Sequence, residues 1–218
     1  MKRFFLVIVL CLGVFAGFAQ DAVDAVQLKN DGNEALRGKN YKKALELFEK
    51  SIANWGDEEQ DNAMIYNAGY CAYKVKNYKK AVQYFDQSIQ DNYKTSTAYL
   101  YKANSLKKAG DEDGFVATLE AGMAANTNDA KMKSMLSNYY LKEGNAFYKK
   151  GASILKKAAA DVAAGKYKTT DDQYKKVTAD AKAEFKKALP LFDKALELTP
   201  NDDTAKQLKA AANQAING

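Results

Sequence analysis

Asn40-Tyr41-Lys42-Lys43-Ala44 returns unchanged as Asn77-Tyr78-Lys79-Lys80-Ala81, 37 residues further on. The surroundings repeat as well. A glycine lies 12 residues before each alanine (Gly32, Gly69), a phenylalanine 4 after it (Phe48, Phe85) and a serine 7 after it (Ser51, Ser88). Small residues at these offsets let two helices approach closely, and the aromatics fill the space between them. The unit is a helix–turn–helix hairpin repeated at 37 residues, and one such hairpin cannot bury its apolar face alone. The sequence therefore predicts an all-α, right-handed α-solenoid of antiparallel helix pairs.

Working outward, about four units can be placed. The first spans 25–58, with Leu28, Gly32, Ala35 and Leu36 recurring at helical steps and Gly38-Lys39-Asn40 as its turn. The second, 62–95, follows a long loop (Ala53 to Asp61) that carries Trp55 and accounts for the 37-residue spacing. The third, 96–129, puts Ala103 where glycine stood and Phe115 at the small-residue position, an exchange of partners that conserves volume.

The fourth, 137–200, is interrupted. Its first helix runs through Tyr139, Gly144, Phe147 and Tyr148 and continues past Gly151 into an insertion over about 152–182. Gly165-Lys166-Tyr167-Lys168 reads as the turn, and Thr170 with Gln173 reads as a capping box for the returning helix. That helix carries Phe185-Lys186-Lys187-Ala188 and Phe192, with a kink or break expected at Pro190. A C-terminal helix over 201–217 caps the array.

With these units in place, the chain resembles the tetratricopeptide-repeat family over 20–218. The start of the sequence adds Lys2 and Arg3, an apolar run from Phe4 to Val14, and Gly17-Phe18-Ala19. This reads as a signal peptide over 1–19, cleaved before Gln20, because some 15 apolar residues fall short of the roughly 20 that span a bilayer. No transmembrane span is expected once it is removed. Signal, sparse proline and inserted fourth hairpin together resemble exported repeat proteins of Bacteroidetes-type bacteria, which implies a periplasmic or envelope-associated protein.

The sequence has no histidine, which excludes imidazole catalysis and imidazole metal ligation. No glycine-rich phosphate loop exists. Asp57-Glu58-Glu59-Asp61 and Asp111-Glu112-Asp113 lack the alternating ligands and central glycine of a calcium loop. Cys71 sits inside a helical pattern and reads as a packed thiol. The expectation is a chain that is not an enzyme and holds no cofactor or metal.

The resemblance implies a concave groove lined by the first helix of each hairpin. Its positions here are Lys29, Asn33 and Arg37; then Tyr66, Asn67, Tyr70 and Lys74; then Thr97, Tyr101, Asn104 and Lys108; and Asn145 with Lys149. Asparagine amides can pair with a peptide backbone, and Asn67 and Asn104 are expected to bracket an extended one. Tyrosines there are expected to face water and flank a ligand side chain. Lys29, Asn33 and Asn67 also match the family's carboxylate clamp, but Thr97 and Tyr101 stand where its two basic residues belong.

The expected function is a protein–protein interaction scaffold that takes a peptide or partner helix. The alternative is an anionic-ligand or nucleic-acid module. It rests on 131–187, where 14 lysines face 6 acids, a balance of +8, with Tyr167 and Tyr174 interleaved. Lysine at many helical phases disfavours it.

Overall fold

A computed structural model describes residues 15–56, 60–126 and 129–218, with side chains from Ala25 onward. Residues 1–14 of the leader expected over 1–19, and 57–59 of the Asp57–Asp61 cluster, lie outside the described residues. Nine helices and no strand are present among them: α1 (Phe15–Arg37), α2 (Tyr41–Ala53), α3 (Asn62–Lys74), α4 (Tyr78–Gln90), α5 (Thr95–Ala109), α6 (Glu112–Ala125), α7 (Ala130–Ala163), α8 (Asp172–Leu198) and α9 (Asp203–Asn217). Where the sequence runs a single array, the chain divides into two compact units, Met1–Thr127 and Asn128–Gly218.

In the first unit α2, α3, α4 and α6 each begin where a short polar side chain can take an orphan amide, whereas α5 starts after Lys94 with no side-chain cap. Asn40 and Asn77 accept from the amides of Lys43 and Lys80, Asp61 from Ala63 and Met64, and Asp111 from Gly114. Each such cap is worth about 0.5–2 kcal/mol. Three antiparallel pairs result, and the small-against-aromatic rule closes them. A β-carbon on Gly32 would stand 2.7 Å from the Phe48 ring, and one on Gly69 would stand 3.1 Å from Phe85. Phe48, Phe85, Ala103 and Phe115 are all fully buried, so the third pair accommodates its exchanged partners. Ser51 fastens α2 to α1 through a 2.6 Å hydrogen bond to the Ala25 carbonyl.

The three hairpin turns differ at one repeat position. Gly110 takes the left-handed conformation (φ 87°), but Lys39 and Lys76 occupy the equivalent places at φ 59° and 64°. A lysine there costs roughly 1–2 kcal/mol.

The second unit is one long hairpin with a capping helix. Its first helix begins at Ala130, earlier than the expected 137, because Asp129 caps it by accepting from Lys131 and Met132. Gly151 sits inside α7, and the hairpin closes with two small-against-aromatic pairs. A β-carbon on Gly144 would stand 2.7 Å from Phe192, and one on Gly151 would stand 2.9 Å from Phe185. The pairs lie seven residues apart on both arms, the step that keeps one seam facing its partner along a coiled pair. Glu184 ties the arms together, accepting from Lys187 at 2.7 Å and pairing with Lys150 at 3.2 Å. These two ammonium groups, Lys187 first, hold its carboxyl below the usual range against the cost of burial.

Two expectations need correction here. Thr170 does not cap α8. Asp171 precedes the helix, and its carboxylate turns back to accept from the amide of Lys168, so no capping box forms. Nor does Pro190 break α8, which continues to Leu198. Pro190 is exposed, so water can serve the carbonyl whose donor it lacks. In α9, Ala212 joins the cluster built on Phe185 and Phe192, with Leu208 and Ile216 packed against it, as a capping helix should.

Candidate functional site

The first helices of the three pairs in the first unit, α1, α3 and α5, carry most of the expected groove residues. Asn33 and Asn67 come together: the Asn67 amide donates to the Asn33 side-chain oxygen at 3.3 Å. Both are half-buried, so an edge of each pair remains accessible. Asn104 behaves differently. Its amide donates to the Leu100 carbonyl of its own helix at 2.8 Å, so the expected bracket of Asn67 and Asn104 is replaced by Asn33 with Asn67.

Tyr66 is a correction. Only 8% of it is exposed, and it packs edge-on against Phe85 (5.7 Å between centroids) and Tyr93 (5.9 Å). Burial, reinforced by the neighbouring phenols, pushes its hydroxyl up to about 12. It is a core residue. The reason is the loop after each second helix, which lays an aromatic over this repeat position. Tyr93 covers Tyr66, and at the equivalent place in the first pair Lys29 lies 5.3 Å from the Trp55 ring centroid.

Lys29 is committed too, with its ammonium 3.0 Å from Asp61. Burial opposes the charge of Asp61, but Lys29 and the amides of Met64 and Ala63 outweigh it and hold the carboxyl below its ordinary value. A carboxylate clamp built on Lys29 would first have to break this pair.

Tyr70 and Tyr101 form the middle of an aromatic ladder that sequence reading did not assemble. Tyr70 meets Tyr41 at 5.9 Å and Tyr101 at 5.5 Å, both edge-on, and Tyr101 stacks on Phe85 at 5.3 Å. Burial and the adjacent Tyr41 hydroxyl raise the Tyr70 phenol. Burial, then Tyr70 and Tyr73, raises that of Tyr101. Lys74 covers the end of the ladder, 5.1 Å from the Tyr41 centroid and 5.9 Å from that of Tyr70. Tyr41 joins this ladder, and its place beside the repeated turn is the one sequence signal that marks it. Arg37, Thr97 and Lys108 are exposed. Asn145, half-buried, and Lys149, exposed, belong to α7 and thus to the second unit.

This face offers amides, flat phenol rings and cations. Cys71 is fully buried, and burial pushes its thiol up to about 12. Among the described residues no group of three or more Cys, Asp or Glu is arranged to hold a metal, and no helix is long and apolar enough to cross a membrane.

In the second unit, Tyr167 is buried and packs at 6.3 Å against Tyr174. Neither the paired rings nor the lysines held by Asp161, Asp172 and Glu184 suit base stacking within a basic groove.

Among solved structures, this chain is similar to a TPR repeats protein from Bacteroides fragilis NCTC 9343. The two are 30% identical over 88% of this chain and 98% of that one, with a TM-score of 0.54. It is also similar in fold to MamA, at 12% identity over 88% of this chain and 82% of that one, with a TM-score of 0.51. No protein-family model and no curated protein matches the sequence.

Proposed function

Since the chain belongs to the tetratricopeptide-repeat family, we propose that it is a non-enzymatic scaffold whose α1/α3/α5 face holds a peptide or partner helix. The observation that carries this reading is the Asn33–Asn67 pair lying beside the Tyr70–Tyr101 ladder, on helices from successive hairpins. Side-chain amides there can exchange their mutual hydrogen bond for two to a partner's backbone, and the rings supply contact area at low entropic cost. Arg37 and Lys108, exposed on α1 and α5, add attraction for carboxylates.

The test is capture from an envelope extract by the tagged full chain, compared with an Asn33→Ala/Asn67→Ala/Lys108→Glu variant. Loss of a partner with the fold intact supports the face, and an unchanged partner set rejects it.

Export belongs to the same proposal. Its support is the charged start, the short apolar run and Gly17-Phe18-Ala19. The destination is the periplasm or envelope.

A further inference from the structure

The hairpin turns of the first unit carry a charge pattern of which the α1/α3/α5 face uses only the ends, Arg37 and Lys74. Arg37 to Lys43 holds four cations and no acid, and Lys74 to Lys80 repeats this. The equivalent third turn, Lys108 to Gly114, holds one cation and three acids. The first two turns are neighbours, since Lys74 in one reaches over the Tyr41 ring in the other at 5.1 Å. All but one of their cations are exposed; the exception, Lys80, pairs with Glu49 at 2.6 Å.

The third turn shows what the fold alone would choose. It has Gly110 at the left-handed position, with Glu112 and Asp113 in the first turn of α6, where the helix dipole favours negative charge. In the first two turns the same left-handed position is lysine. Lys42 and Lys43 open α2 and Lys79 and Lys80 open α4, with no acid in either first turn. Each choice opposes local stability, and all of them add positive charge to one rim. Local rules broken together at one place mark a functional surface.

We infer that this basic rim is a second docking surface, for an acidic polypeptide segment that carries an apolar residue among its carboxylates. Seven of the eight cations are lysine, whose compact ammonium suits carboxylates at variable geometry; a surface for nucleic-acid phosphates would favour the arginine fork. No ring is free for a base: Tyr41 and Tyr78 are half-buried, against Tyr70 and Tyr73. Val75, between Lys74 and Lys76, is 36% exposed and offers the apolar contact. This surface stands whether or not the α1/α3/α5 face binds anything.

The test is Lys39→Gly/Lys76→Gly in the full chain, because glycine relieves the left-handed backbone while removing the charge. The probe is a fluorescein-labelled peptide of glutamates interrupted by leucine, titrated at low salt and followed by anisotropy. The expected result is an unchanged or higher Tm with affinity down about tenfold or more. A control that removes as much charge elsewhere, Lys142→Gln/Lys157→Gln on α7, is expected to bind within about twofold of wild type. Unchanged affinity in the glycine variant overturns the proposal, as does an equal loss in the α7 control. Tighter, rim-dependent binding of single-stranded DNA or phosphatidylglycerol vesicles than of the peptide would overturn the choice of partner.

Discussion

The Phe48 ring comes within 2.7 Å of the point where a β-carbon on Gly32 would stand, so the first hairpin closes only because residue 32 has none. An added methyl must displace a fully buried ring rather than a mobile side chain. Gly32→Ala is expected to cost about 1–3 kcal/mol. Adding Phe48→Leu is expected to recover part of that loss, a non-additivity that chemical denaturation of the single and double variants measures.

Cavity formation gives the complementary expectation. Phe85 is fully buried and contacts Tyr66 and Tyr101, so Phe85→Ala is expected to lose roughly 3–5 kcal/mol. A thermal midpoint unchanged by this substitution would mean that the second hairpin is packed differently.

The pairing of sequence and structure is uneven in an instructive way. Gly32 with Phe48 and Gly69 with Phe85 were legible because both partners lie within one hairpin at fixed spacing. The second pair on the long hairpin, Gly151 with Phe185, was not. The insertion hides its spacing, and only the completed antiparallel seam brings the two together. Tyr66 and Lys29 were placed in the groove by position alone, but aromatics of the following loops, Tyr93 and Trp55, reach back over both. Lys29 is further taken by Asp61, 32 residues away, a contact no local pattern announces. The Asn33–Asn67 pair lay between these cases: its face was readable, and its hydrogen bond was not.

Asp61 carries a pH dependence of definite sign. Its folded-state carboxyl lies below the ordinary carboxylate value of 3.8, so its ion pair and capping bonds contribute fully above that value. The contribution fades as pH falls through the lowered folded-state value. Asp61→Asn is therefore expected to be less stable than wild type near neutrality, with the difference shrinking toward pH 2–3. Urea denaturation across pH checks it; a gap that widens on acidification would contradict the assignment.

Cys71 is expected to be chemically silent while the protein is folded. Its thiol is buried and pushed up to about 12, and thiolate is the reactive form. Alkylation at pH 8 should be negligible in native buffer and rapid in urea. Fast native labelling would place the thiol at the surface.

Export has a direct readout. Protein recovered from its own host is expected to begin at Gln20, with Met1 to Ala19 removed. An intact N-terminus on a cytoplasmic product would contradict it.

The central claim, that the α1/α3/α5 face of a chemically inert repeat scaffold does the binding, is tested most directly by titrating a captured partner against three proteins. These are wild type, Asn33→Ala/Asn67→Ala/Lys108→Glu, and a Lys156→Glu/Lys182→Glu variant of the long hairpin. The face variant is expected to lose about 2 kcal/mol or more of binding while Tm stays near that of wild type, and the hairpin variant is expected to bind normally. Full binding by the face variant together with loss in the hairpin variant would contradict the account and move the site to the lysine-rich second unit.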